Sequence, residues 1–416
     1  MDSITESKCS SKWVEIFDPD KYYPILETLS SSLTIADFLV LCQVCKKFKR
    51  LKECMLRKIS NINVWLSDFV DDPTIFRSQL GVFGALLSGP FALNVFELGR
   101  QKTLTLDIFV REGANADQLT NYIRETEKYQ HVETTGTRRT YCSSGRPGVK
   151  LRITRAASPV QAILTLSRTT AHINFITWNK AYSLFPRQTL LDHQFYPLGS
   201  LDNGFGSGLS ELAHHGWTTR DIVWPDLADK TACKVKGRLR RVGDNSSLVI
   251  SLDTSSVQRP SAPDSVIEYA QFRVEGRGSP NEDDHDGLQG FQNPRPIGGF
   301  RVVPSQSRDP NLRKFLTIQA QKVTSAAVRS IFTTASSEWR TYLTDRLNRW
   351  AWLEFYKLES DNRPALPPRA LPLVSDVPDF ELPQSWDYAD DQIPRWYQEW
   401  EEKNSVKVKR GERFSM

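Results

Sequence analysis

The sequence predicts an α+β protein: a short N-terminal helical region, a mixed-sheet core, a β-rich extension and a C-terminal helical region. Three observations carry this. Apolar residues recur at three- and four-residue steps between Tyr22 and Leu66. A strand-turn-helix-strand pattern runs from Gly84 to Val110. After Trp224-Pro225, short alternating runs such as CKVKGRLRRVG and SSLVISLDT replace the helical period. At 416 residues the chain exceeds the size of a single core. It divides into an N-terminal tail (1–12), helices (13–70), the core (71–225), the extension (226–305), a strand with helices (306–360) and a proline-rich, acidic-aromatic tail (361–416).

Composition narrows the function classes. The chain is 39% hydrophobic and 25% charged, which allows a globular core. Its 54 basic and 49 acidic residues leave a net charge of +5, too little to draw a polyanion, so nucleic acid is not an expected partner. MDSITESKCSSK lacks a signal-peptide run, and no stretch nears the roughly 20 apolar residues of a membrane span, so the expected location is cytoplasmic or nuclear, with no membrane contact. The cysteines Cys9, Cys42, Cys45, Cys54, Cys142 and Cys233 read as reduced thiols. Cys42 and Cys45 form a CxxC pair inside the apolar FLVLCQVCKKF; with no second pair at zinc spacing they read as buried helix cysteines.

In the N-terminal helices, Ile25, Leu26 and Leu29 are followed by Ile35, Phe38, Leu39, Cys42, Cys45 and Phe48, with Thr34 placed to cap the second helix. The layout YYPILETLSSSLTIADFLVLCQVCKKFKRL resembles a degenerate F-box. That resemblance implies a Skp-type ubiquitin-ligase adaptor as partner through residues 22–51. The other reading is a helical cap packed in cis on the next domain, because a helix-in-groove interface and a core contact share one periodicity.

The next segment reads as an amphipathic helix, the strand of GALLSG, the helix PFALNVFEL and the strand LTLDIFV. Pro90 suits the first position of its helix, where an N–H would lack a partner anyway. The Ser88-Gly89 turn then directs free N–H groups outward, a phosphate-binding geometry. On the following strand Thr105 and Asp107, two apart, share a face.

These residues resemble the core of polymerase-beta-type nucleotidyltransferases, in which a Gly-Ser turn opens a helix, a D-x-D strand follows and a later strand supplies a third carboxylate. Gly89 matches the turn glycine, Pro90 stands where serine is expected, Asp107 matches the second carboxylate and Thr105 replaces the first. Downstream, LRIT, the helical PVQAILTLS and HINFITW supply further elements, and the run INFITWNKAYSLFP resembles a group of uncharacterised fungal proteins joining an F-box-like start to this core, over Trp13 to Leu252. If HINFI is the third core strand, Asn174 or His172 faces the site.

The resemblance implies nucleotide binding at Ser88, Gly89 and Asp107, with Asp107 as the metal ligand. Two-metal chemistry needs several carboxylates to neutralise the ions, and magnesium wants one or two together with substrate phosphates. One Asp beside Thr and Asn falls short. The expected function is therefore a non-catalytic binding or adaptor protein without a cofactor, in its most specific form an F-box-type substrate receptor. The alternative is a divergent magnesium-dependent nucleotidyltransferase that recruits Glu97, Glu112 or Asp117. Asp107 otherwise reads as a strand-end carboxylate paired with a base such as Arg111.

In the second half, Lys234, Lys236, Arg238 and Arg240 alternate onto one strand face, and SSLVISLDT follows as the hairpin partner. That face is either a solvated edge or a phosphate contact. RGSPNEDDHDGLQGFQNPRP (277–296) reads as a disordered acidic loop; Glu282, Asp283, Asp284, His285 and Asp286 lack metal-site spacing. Strands GGFRVV and FLTIQA precede a helical region from Gln321 to Lys357, whose Trp339, Leu343, Leu347 and Trp350 form a core stripe. PALPPRALPLVSDVPDFELPQSW favours extended chain, and Trp386, Trp396, Tyr397 and Trp400 favour docking of the tail. GxSxG, Walker, GxGxxG and HExxH motifs are absent, and His214-His215-Gly216 reads as a turn.

Overall fold

The computed structural model describes residues 22, 28, 32–44, 49–199, 203–219, 237–260, 265–277, 315–329, 331–359, 382, 383 and 385–411. The expected N-terminal tail, acidic loop, GGFRVV strand and most of the proline-rich stretch lie outside them, as do Lys234 and Lys236.

Three helices open the described chain: α1 (Ile35–Val44), α2 (Lys49–Ser60) and α3 (Asn63–Leu66). Thr34 caps α1 reciprocally with Asp37: the Asp37 N–H donates to the threonine hydroxyl at 3.1 Å, and the Thr34 N–H donates to the Asp37 carboxylate at 2.8 Å. Ile35, Phe38, Met55 and Ile59 join the main core, so this part packs as a cap in cis, leaving Val40 and Val44 exposed. Helix α4 (Pro73–Phe83) starts at Asp72, whose carboxylate accepts from the N–H groups of Thr74 and Ile75, and stops at left-handed Gly84.

The core follows as β1 (Leu86–Ser88), α5 (Gly89–Phe96), β2 (Thr105–Arg111), α6 (Ala114–Glu125), β3 (Gln130–Thr135), β4 (Arg138–Ser143), β5 (Arg146–Ala156), α7 (Pro159–Leu166), β6 (Asn174–Ile176) and β7 (Lys180–Ser183). Then come β8 (Gln194–Phe195), α8 (Asn203–His214), β9 (Thr218–Thr219), β10 (Leu239–Arg241) and β11 (Leu248–Ser251). The main sheet runs β11-β7-β6-β1-β2-β5-β4-β3, with β2 and β5 parallel and the other neighbours antiparallel. This mixed α+β sheet fits the expected nucleotidyltransferase-like core. One face, with Leu87, Ile108 and Ile153, packs on α4, α5 and α6. On the other, Leu86, Phe175 and Tyr182 pack under α7 and a smaller sheet in which β10 is followed by β12 (Gln271–Arg277) and β13 (Phe315–Gln319). That cover leaves the β5-β4-β3 end of the second face open.

Two expectations change here. The strand beside β2 is β5, from VKLRIT; HINFI supplies β6, on the far side of β1. SSLVISLDT becomes β11 on the main sheet instead of pairing with β10, so no hairpin forms and the core sheet reaches beyond residue 225. Between the two strands the Asp244 carboxylate accepts from the Arg240 guanidinium and the N–H groups of Arg241 and Ser246, and β11 takes its partner from β7 instead.

The remaining described elements are α9 (Ser265–Glu268), β12 (Gln271–Arg277), β13 (Phe315–Gln319), β14 (Gln321–Val323), β15 (Phe332–Thr334), α10 (Ser337–Lys357) and α11 (Ile393–Gly411). The helix expected from Gln321 begins only at Ser337, after β14 and β15, where the Ser336 hydroxyl accepts from the Trp339 N–H. Trp339, Leu343 and Leu347 share a further core with Trp386, Trp396 and Tyr397. No described helix is long and apolar enough to cross a membrane.

Candidate functional site: a carboxylate held by an arginine

β1 and β2 are antiparallel with Ser88 opposite Asp107, so the turn opening α5 lies beside the carboxylate. Gly89 has φ +72°, and a Cβ there would fall 2.5 Å from Asp107 Oδ2. Only glycine meets both conditions without strain. Ser88 is buried, but its hydroxyl donates to the Asn174 carbonyl at 2.7 Å and does not cap the helix. The first-turn N–H groups of α5 therefore keep no side-chain cap, and the Asp107 carboxylate sits close to them, where negative charge is stabilised.

The parallel register of β2 and β5 places Thr105 opposite Lys150 and Asp107 opposite Arg152. Arg152 grips Asp107 with two hydrogen bonds, Nε to Oδ1 and an Nη to Oδ2, both at 2.5 Å. This fork is the strong geometry for a guanidinium and a carboxylate. Both residues are largely shielded, with side-chain exposures of 28% for Arg152 and 12% for Asp107. Thr140 on β4 lies opposite Arg152, and Cys142 opposite Lys150, completing a partly exposed polar floor.

His172 stands near this pair. Burial holds its imidazole below the ordinary value, Glu211 and Asp107 pull it up, and Arg152 adds to the depression. Its Nδ1 lies 3.0 Å from the Thr169 hydroxyl.

Of the residues expected from sequence, Ser88, Gly89, Thr105 and Asp107 come together. Asn174 does not face Asp107; its carbonyl serves Ser88, and its amide donates to the Ala171 carbonyl. Asp107 is paired with a base, but not with Arg111, which donates to the Arg329 carbonyl. The carboxylates available for recruitment stay away. Glu97, at the far end of α5, lies 3.7 Å from both Arg100 and His193, and Asp117 pairs with Arg155 at 2.8 Å. Glu112 follows the end of β2, five residues beyond Asp107. Among the described residues no group of three or more His, Cys, Asp or Glu is arranged to hold a metal. The basic-face expectation fails at Arg240, which is buried between the rings of Phe185 and Phe272 and bonded to Asp244 and the Leu184 carbonyl.

Arg152 is the residue that sequence reasoning missed. Its signal was the alternation in VKLRIT, which puts Lys150 and Arg152 on one strand face.

No protein-family model matches this chain, and no curated protein does. Among solved structures the chain is similar to an apo CCA-adding enzyme, with 18% identity and a TM-score of 0.29 over 42% of this chain and 46% of that one. It is also similar to the Thermotoga maritima CCA-adding enzyme complexed with tRNA (19% identity, TM-score 0.28, 36% of this chain and 39% of that one). A third similarity is to a CCA-adding enzyme in complex with ATP (22% identity, TM-score 0.22, 28% and 29%). The chain spans less than half the length of each of these structures.

Proposed function

We propose that this chain is a non-catalytic binding protein on a nucleotidyltransferase-like core, one that has exchanged divalent-metal chemistry for a fixed guanidinium. The Asp107–Arg152 pair carries the reading. A divalent ion at Asp107 would displace a two-point ion pair and would find threonine at 105 and arginine at 152, where further negative charge is needed. The residues do not fit a two-metal site.

The ligand class proposed is a nucleotide or other phosphate bound without metal. Lys150, exposed on the Asp107 face, and the uncapped N–H groups of α5 offer the positive potential that metal-free binding needs. An adaptor role through residues 22–51 is the more specific form of the reading. With Ile35 and Phe38 buried in cis, the outward Val40 and Val44 are the described apolar residues it would use. Pull-down of a Skp-type adaptor by the wild type, lost in Val40→Asp/Val44→Asp, would support that form, and no enrichment by the wild type would remove it.

A divergent metal-dependent nucleotidyltransferase is the second reading. The Ser88-Gly89 turn opening a helix beside Asp107 favours it. Thermal denaturation with each of the four ribonucleoside triphosphates, with and without magnesium or manganese, separates the two. Stabilisation that needs the metal and disappears in Asp107→Ala belongs to the enzyme; metal-independent stabilisation weakened by Lys150→Ala belongs to the binding protein.

A further inference from the structure

A partly enclosed cavity of about 130 Å³ lies where the core meets the C-terminal part, away from Asp107. Its walls are apolar: Phe83 and Leu86 from α4 and β1, Val160 from α7, Val266 from α9, and Ile331 and Phe332 at β15. Roughly 150 Å³ of apolar space takes up a benzene ring, so the volume suits one ring or a short branched chain.

The polar groups on its lining are nearly all engaged. The hydroxyls of Ser158 and Thr333 are 3.3 Å from each other, and the Asn115 amide donates to the Phe83 carbonyl at 3.1 Å. Arg329 lies 4.6 Å over the ring of Tyr388. Arg111, at the end of β2, differs. One Nη donates to the Arg329 carbonyl at 2.7 Å, and no ion pair with a described residue forms. A guanidinium carries five donors in a fork matched to carboxylates. Exposed at the edge of an apolar cavity, it selects an anion over a neutral polar ligand.

We infer that this cavity binds a small apolar carboxylate, its hydrocarbon body against Phe83, Val160 and Phe332 and its carboxylate on Arg111. Because the walls come from both α4–β2 and β15, the ligand ties the core to the C-terminal part. The site shares no lining residue with the Asp107 centre, so it stands or falls separately from the proposed function.

The test is ligand-observed NMR and thermal denaturation of the full chain with benzoate and cyclohexanecarboxylate, against benzyl alcohol as the neutral isostere. The expected result is saturable binding of the acids, about tenfold or more weaker for the alcohol and for the acids in Arg111→Gln, as the loss of a charge-assisted hydrogen bond requires. Ala157→Phe, at the exposed edge of the cavity, is expected to block the acids while the protein stays folded by circular dichroism. Absence of saturation with either acid overturns the inference. Equal affinity for acid and alcohol, or acid binding unchanged by Arg111→Gln, overturns it as well.

Discussion

Asp107 and Arg152 sit directly opposite each other on the parallel strands β2 and β5 and are joined by two hydrogen bonds, so the carboxylate most suited to a metal is already neutralised by the protein itself. Forks of this kind couple their partners, because removing either strands the other. Arg152→Ala and Asp107→Ala are each expected to lower stability by about 1–3 kcal/mol, the range for charge-assisted hydrogen bonds at partly shielded sites. The double variant should lose clearly less than the sum. Urea denaturation in a double-mutant cycle reads the coupling, and strict additivity would mean that the pair is loose in solution.

Gly89 tests the same contact from the other side. With φ at +72° and a Cβ position 2.5 Å from Asp107 Oδ2, Gly89→Ala meets both backbone strain and a clash. A loss of about 1–3 kcal/mol is expected for such a position. In an Asp107→Ala background only the backbone strain of about 1 kcal/mol remains. An equal loss in both backgrounds would show that the carboxylate does not press on the turn.

The contrast between Gly89 and Arg152 shows what the sequence could reveal. The strand-turn-helix-strand order and the shared face of Thr105 and Asp107 were legible because each follows from local period and turn chemistry; the placing of Gly89 beside Asp107 came only from the resemblance to nucleotidyltransferases. Which strand lies against β2 was not. HINFI and VKLRIT both read as apolar strands, and their position depends on long-range pairing that carries no local mark. Arg240 failed for a related reason: alternation assigns a residue to a face but does not say whether another element covers it. Here Phe185 and Phe272 do.

Arg240 accordingly behaves as a core residue. Arg240→Ala leaves Asp244 without its ion-pair partner and the Leu184 carbonyl without its donor, and is expected to cost about 3–5 kcal/mol, as for other broken buried pairs. Chemical denaturation measures it. A loss under 1 kcal/mol would return Arg240 to the surface.

Stability should also depend on pH through His193, which is in ion-pair range of the buried Glu97 at the end of α5. Glu97 raises the histidine's pKa above 6.5, against the opposing effect of burial, with Asp37 adding to the rise and Arg100 opposing it. A group whose folded pKa is raised contributes stability that is fully present below the unfolded value and is lost as pH rises through the folded one. The melting temperature of the wild type should therefore exceed that of His193→Gln most at pH 5–6 (about the range below the unfolded value), the gap narrowing toward alkaline pH. A gap that widens with pH would reverse the assignment.

The most direct test of the central claim is nucleotide- and metal-dependent thermal denaturation of the wild type beside Thr105→Asp/Arg152→Asp, which puts carboxylates on both sides of Asp107. The wild type is expected to show no magnesium- or manganese-dependent stabilisation, with or without ATP or CTP, and the double variant is expected to acquire it. Metal-dependent stabilisation of the wild type by a nucleotide, abolished by Asp107→Ala, would contradict that claim.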